Sequence, residues 1–217
     1  MPQPVLTANA PDPLRPGYRL LEVDRGRFAS LPEEQVAPLG LEPGGEIPAA
    51  QFARLAELAD AESAYRAGLR MESLRPHARQ DLARRLRQKQ HSPAAIAAAL
   101  DRLASEGALD DGRFARHYAA TRAARGRGPA RLIRDLQQQG IERPLAEAVV
   151  REVLAEEGID PDAQLRRIAE RRASQVAGLP GAVRRRRLVA FLSRRGFDAA
   201  QVRRVVEEVV AGDNAGP

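Results

Sequence analysis

Apolar residues recur along most of this chain at helical spacing, and the spacing itself recurs. Leu82 and Leu86 stand one turn apart and are followed by Gln90-His91. Fifty residues on, Leu132, Leu136, Gly140 and Ile141 stand in the same order, and fifty-six residues after that come Leu188, Leu192, Gly196 and Phe197. The register then holds through Ile96, Ala146 and Val202, through Leu100, Val150 and Val206, and through Leu103, Val153 and Val209. Ile96, Leu100 and Leu103 make an i, i+4, i+7 stripe, the apolar side of an amphipathic helix. A long fixed period predicts one supersecondary unit repeated in tandem, an architecture suited to an extended surface rather than an enclosed pocket.

Punctuation by Gly, Pro and capping residues divides each unit into three helices. The first unit is expected over Ala61–Ser73, with Ala64, Tyr65 and Leu69 on one face, then Pro76–Gln90 and Pro93–Glu106. Ser92-Pro93 reads as an N-cap with proline at the first helical position, and Gly107 as the stop. The second runs through Asp111–Ala124, Gly128–Gln139 and Arg143–Glu157, and the third through Asp160–Gln175, Ala182–Arg195 and Asp198–Val210. Gln90, Gly140 and Gly196 fall where each middle helix ends. A left-handed residue there suits glycine and costs glutamine about 1 kcal/mol. His91, Ile141 and Phe197 are the latch after that cap; His91 reads as a half-buried packing residue rather than a ligand or base.

Ahead of the repeats the period changes. Tyr18–Val23 alternates as a strand, Asp24-Arg25-Gly26 signals a turn, and Arg27–Ser30 gives a second strand. A helix start is expected at Ser30-Leu-Pro32, with Ser30 as its N-cap, and another helix from Pro48 to Ala59. Five prolines in residues 1–16 predict a disordered tail. The expected division is therefore a tail over 1–16, an appendage over 17–60, repeats over 61–107, 108–158 and 159–211, and a second tail over 212–217.

Composition sharpens this picture. Hydrophobic residues make up 43% of the chain and aromatics only 4%, so the core must come from Leu, Val, Ile and Ala. There is no cysteine, which excludes disulfides, thiolate metal sites and cysteine nucleophiles. No segment approaches the uncharged length of a membrane span, so the chain reads as soluble and cytoplasmic. The net charge of +6 is unevenly placed: residues 1–60 carry five arginines against nine acids, and the remainder thirty basic side chains against twenty acidic ones. A basic body points to a polyanion or an acidic protein surface as partner.

The basic residues have a helical phase. Opposite Leu82/Leu86 stand Asp81, Arg84, Arg87 and Gln88; the equivalent positions hold Arg131, Arg134, Gln137 and Gln138, then Arg187, Ala190, Ser193 and Arg194, with Arg186 alongside. Arg84, Arg87, Arg131, Arg134, Arg186, Arg187 and Arg194 are thus the candidate contacts to DNA or to an acidic protein, against the alternative of an ordinary solvated face. Arg184–Arg187 is a basic run at a helix start, unfavourable to the helix dipole, and Arg122–Pro129 is a basic, glycine-containing loop. Asp110 or Asp111 reads as an N-cap. His77, His91 and His117 lack metal-ligand spacing, and no nucleotide-binding or nucleophile motif is present, so neither catalysis, a metal nor a cofactor is expected.

Arg75-Pro-His-Ala-Arg79-Gln-Asp-Leu82, Leu109-Asp-Asp-Gly-Arg-Phe114-Ala, Arg125-Gly-Arg-Gly-Pro129 and Leu192-Ser-Arg-Arg-Gly196-Phe197, in that order and spacing, resemble the RecX family of bacterial RecA regulators over roughly residues 61–210. Gln90-His91 departs from the family's usual glycine followed by an apolar or aromatic residue. The resemblance implies an all-α fold of three tandem three-helix repeats in a curved stack, here with a small N-terminal α/β appendage. It implies a monomer without catalytic residues that binds RecA–DNA filaments, touches single- and double-stranded DNA, and inhibits recombinase, ATPase and coprotease activities. The other expectation is a DNA-binding protein that acts without RecA through helix-turn-helix-like units; the chained repeats speak against it, since such readers usually dimerise.

Overall fold

In a computed structural model that describes residues 3–214, regular structure begins at Leu6. Strands β1 (Leu6–Pro11), β2 (Tyr18–Val23) and β3 (Gly26–Pro32) form an antiparallel sheet in the order β1-β2-β3. Val23 pairs with Gly26, leaving Asp24-Arg25 as a two-residue loop with φ of 49° and 62°, the backbone of a type I′ hairpin turn. The expectation of a disordered tail through residue 16 is corrected by β1. Its prolines do not interrupt pairing, because Pro11 closes an edge strand, where a missing N–H is tolerated. Leu6 anchors it, buried with Leu21, Leu31, Val36, Ile47 and Leu55. Ser30 is not an N-cap either. It lies within β3 and its hydroxyl donates to Asp12, while α1 (Glu33–Val36) starts after Pro32.

The helix expected to end near Ala59 and the one expected from Ala61 are a single helix, α2 (Ala49–Leu74). No Gly or Pro stands between them to break it. Its first half gives Leu55 to the sheet core, and its second half gives Ala64, Tyr65 and Ala67 to the core of the first repeat. A boundary at residue 60 would cut this helix. Leu69, expected inside, is 40% exposed. Gly68 takes the close contact instead: a Cβ there would lie 2.6 Å from Leu103 Cδ1. Helices α3 (Arg79–Gln88) and α4 (Pro93–Ser105) complete the repeat, with Leu82, Leu86, Ile96, Leu100 and Leu103 buried. Ser92 caps α4 by accepting from the Ala95 N–H at 3.2 Å.

Two compact units result: the chain up to Arg75 with Asp81–Leu109, and Pro76–Gln80 with the chain from Asp110 onward. Within the first, the sheet and the repeat are tied by buried Glu62. It accepts from Arg66 Nε (2.8 Å) and Arg102 Nη1 (3.0 Å), and those arginines reach the Ser30 carbonyl and the Tyr18 hydroxyl. Burial pushes the Glu62 carboxyl above its usual value despite Arg102. Tyr65, under the Arg102 guanidinium and bonded to Glu106, is pushed up to about 12, by burial first and by that bond second.

The second unit holds α5 (Asp111–Ala123), α6 (Pro129–Gln138) and α7 (Arg143–Glu156), then α8 (Pro161–Ser174), α9 (Gly181–Arg195) and α10 (Ala199–Asn214). Asp110 caps α5 through the Arg113 N–H, and Asp111 accepts from the Arg79 N–H that begins α3. Leu132, Leu136, Leu188 and Leu192 are fully buried, with Ala146, Val150, Val202 and Val206 over them; Val209 is partly exposed.

The cap positions behave alike. Gln90, Gly140 and Gly196 all have positive φ, at 68°, 88° and 83°. A Cβ on Gly140 would sit 2.5 Å from Gln80 Oε1, and one on Gly196 would sit 2.1 Å from Arg131 Cβ. Gln90 is exposed, so its side chain has room. After the caps, Ile141 and Phe197 are buried, whereas His91 is a polar latch: its Nδ1 lies 2.7 Å from Asp60 Oδ1, and Asp60 Oδ2 accepts from the Ser92 N–H at 2.9 Å. Burial raises the Asp60 carboxyl, but the bonds from His91 and Ser92 outweigh it and hold it below its usual value.

Equivalent cap positions should therefore answer mutation with opposite signs. Gln90→Gly relieves a left-handed side chain and should raise stability by about 0.5–1 kcal/mol, whereas Gly196→Ala drives a methyl into Arg131 and should cost roughly 1–3 kcal/mol. Urea unfolding midpoints check both, and a destabilised Gln90→Gly would contradict the cap assignment.

Asp60 and Glu106 both have folded carboxyls below their unfolded values, Glu106 chiefly through the Tyr65 hydroxyl. Their contribution is complete above the unfolded carboxylate value and is lost as pH falls through the lowered one. Stability should drop on acidification below about pH 4, and Asp60→Asn should flatten part of that slope. Midpoints measured from neutral to acid pH report it.

Candidate nucleic-acid interface

A helix surface carries usable charge only where its cations are not already neutralised by the protein's own acids. The seven candidate arginines divide on that criterion. Arg84 and Arg87 are exposed on α3, Arg134 is exposed on α6, and Arg186, Arg187 and Arg194 are exposed on α9. Arg131 is half-exposed and held by Asp135, with its Nε 2.7 Å from Oδ1. Arg84 is paired with Asp81. Arg87, Arg134, Arg186, Arg187 and Arg194 have no ion pair among the described residues.

Asp81, expected on the solvent face, is buried at 8% side-chain exposure, because Arg84 and Arg85 fold back over it. Asp135 is more deeply set, at 6%, and accepts from Arg127, Arg131 and the Tyr118 hydroxyl. Burial, then the Asp135 charge, pushes the Tyr118 phenol above its usual value. Arg122 stacks on that ring with its guanidinium carbon 3.7 Å from the centroid. These buried acids escaped the sequence reading. Their signal is present in the chain: Asp81/Arg85 and Arg131/Asp135 are i, i+4 acid–arginine pairs at the same repeat positions, written in opposite order.

The basic run at the start of α9 also divides. Arg184 is buried, Arg185 is exposed but pairs with Glu207 at 2.7 Å, and Arg186 and Arg187 are exposed without an ion pair among the described residues. Among the described residues no group of His, Cys, Asp and Glu is placed to hold a metal ion, and no helix is long and apolar enough to cross a membrane.

Removing a buried acid strands its cations. Asp135→Ala should destabilise the fold by about 3 kcal/mol, whereas Arg131→Ala, which leaves Arg127 and Tyr118 on the carboxylate, should cost about 1 kcal/mol. Chemical denaturation of the two variants tests the ranking; equal costs would mean that Arg131 alone neutralises Asp135.

Family comparisons follow the same tandem pattern. Models described as the first, second and third three-helix domains of RecX match residues 64–103, 110–150 and 160–206. The chain is 39% identical over 160 residues to the regulatory protein RecX of Halorhodospira halophila, covering 73% of this chain and 96% of that protein. It is 37% identical over 133 residues to the regulatory protein RecX of Pseudomonas savastanoi, covering 61% and 82%. Its fold is similar to a crystal structure of a regulatory protein RecX, with a TM-score of 0.71 at 18% identity over 94% of this chain and 99% of the other. It is also similar to that of RecX from Lactobacillus salivarius, with a TM-score of 0.57 at 19% identity over 69% and 96%.

Proposed function

Because the chain belongs to the RecX family of regulatory proteins, we propose that it binds RecA–DNA filaments and restrains their recombinase, ATPase and coprotease activities. The observation that carries the reading is the pairing of family membership with exposed arginines on the middle helices. Arg87 and Arg134, with Arg186, Arg187 and Arg194, are free to meet DNA phosphate or an acidic protein surface. Arg84 and Arg131 keep part of their charge toward solvent while neutralising Asp81 and Asp135. The protein acts as a cytoplasmic monomer, by occupying the filament rather than by chemistry of its own. Single- and double-stranded DNA are its second partners, bound through phosphate contacts without base readout.

Each phosphate neutralised by an arginine releases counterions, so binding must weaken with salt. Arg134→Ala and Arg187→Ala should each lower the salt slope by about one unit and weaken binding alike across DNA sequences. Stability should move by about 0.5 kcal/mol or less, since both side chains are exposed. The control is Arg54→Ala, whose partner is the exposed Glu57. Affinity for RecA–single-stranded DNA filaments and for naked DNA is measured at matched salt, together with RecA ATPase. Tighter binding to the filament and loss of ATPase inhibition in the variants are expected. Equal affinity for naked DNA, with ATPase untouched, would replace this reading with that of a DNA-binding protein independent of RecA.

A further inference from the structure

The acid–arginine pair of the first two repeats is missing from the third. The positions of Asp81/Arg85 and Arg131/Asp135 hold Arg187/Phe191. Where Asp135 gathers cations in the second repeat, Phe191 gathers them in the third by its ring alone: the guanidinium carbons of Arg172 and Arg195 lie 5.1 and 4.9 Å from its centroid. Cation–π contacts orient the arginines without cancelling their charge.

Around this ring is a cleft of about 640 Å³, bounded by the loop after α5 and by α8 and α9. Arg125, Arg167, Arg171, Arg172 and Arg195 line it, Phe191 and Ile168 give it apolar surface, and no carboxylate is present. Its frame is fixed. Arg195 Nη1 donates to the carbonyls of Arg125 (3.2 Å) and Gly126 (3.1 Å), and the Arg195 carbonyl accepts from the Gly128 N–H at 2.7 Å. Gly126 lets the loop come close, since a Cβ there would lie 2.8 Å from Ile168 Cδ1. Arg125, Arg167 and Arg171 are exposed and unpaired among the described residues. In the same unit Arg127, Arg131, Arg143, Arg166 and Arg185 are each paired with an acid, whereas Arg134, Arg186, Arg187 and Arg194 are, like the cleft arginines, without an ion pair among the described residues.

We propose that this cleft is a binding site for a single nucleic-acid strand, its phosphates held by the unpaired arginines and a base laid against the Phe191–guanidinium platform. The geometry favours a single strand over a duplex, whose stacked bases cannot reach a recessed ring, and over an acidic peptide, which gains nothing from a flat π-surface. The proposal rests on the reading that the chain engages DNA, and it places one strand at residues other than Arg84, Arg87, Arg131, Arg134, Arg186, Arg187 and Arg194.

The test uses the full chain and a labelled oligothymidylate of about ten nucleotides, within the usual site size of such grooves, beside a duplex of equal length over a salt series. Arg167→Ala with Arg171→Ala should weaken strand binding at least about tenfold and lower the salt slope by about 0.7 for each phosphate left without its arginine. Phe191→Leu keeps an apolar side chain and should weaken strand binding about fivefold with the slope unchanged, because stacking is removed and charge is not. Duplex affinity should change by less than about twofold in all of them, and melting temperatures, recorded throughout, should match in the double variant because both side chains are exposed.

Unchanged strand affinity in the double variant would overturn the proposal. So would an equal loss on the duplex, which would mark an open phosphate patch. Loss of RecA filament inhibition with intact oligothymidylate binding would assign the cleft to an acidic protein face and overturn it as well. Filament inhibition measured on the same samples separates the two readings. Inhibition that survives without a cleft effect keeps the regulatory function, and a cleft effect in a wild-type chain that does not inhibit RecA keeps the cleft alone.

Discussion

Each repeat closes through one left-handed residue at the end of its middle helix, and the second unit depends on what that residue allows. Gly140 and Gly196 turn the chain into the third helix and bury the next side chain, Ile141 or Phe197, under it. Having no Cβ, they also let their backbone lie against the start of another middle helix, at Gln80 and at Arg131. The Gly128 N–H to Arg195 carbonyl bond belongs to the same close approach. Any side chain at Gly196 would push α6 and α9 apart and with them the loop that frames the arginine cleft. Gln90 holds the same backbone conformation, but it is exposed, so only the local strain remains.

The first unit is organised around α2 instead. Its 26 residues serve two cores in succession, the sheet's through Leu55 and the repeat's through Ala64 and Tyr65. Glu62 lies between them with two arginines on its carboxylate. A buried charge of this kind is costly unless every partner is in place. Sheet and repeat are therefore coupled by electrostatics as well as by a shared helix, and the appendage is better regarded as part of the first repeat's fold than as a separable domain.

The residues that proved legible in the sequence are those whose role is local or periodic. Leu86, Leu136 and Leu192 follow from helical period, Ser92 and Asp110 from cap chemistry, and the turn at Asp24-Arg25 from alternation on either side. What escaped depends on contacts distant in sequence. β1 was hidden because the prolines in and around it suggest disorder, whereas pairing to β2 and the anchorage of Leu6 decide its state. The continuity of α2 was hidden because the apolar face changes partner midway. His91 gave no sign of Asp60, which lies thirty-one residues upstream. At the candidate interface helical phase found the exposed arginines, but it did not separate them from those already neutralised. Asp81 and Asp135 sit at the edge of the buried face, where a phase angle does not distinguish buried from solvated.

That edge is where the repeats diverge. Core positions are constrained by packing, since interiors are dense and each methylene is felt. Boundary positions tolerate an acid, an arginine or a ring, and the choice sets how much of the neighbouring arginine charge faces outward. With Asp81 or Asp135 in place, nearby guanidiniums are drawn down onto the helix and partly cancelled. With Phe191 they are aligned and left charged. The positive charge presented to a partner therefore depends on the few acids at these boundary positions as well as on the number of arginines. In the third repeat the aromatic side chain at the position of Asp135 leaves the neighbouring guanidiniums charged, over a middle helix that buries the same pair of leucines.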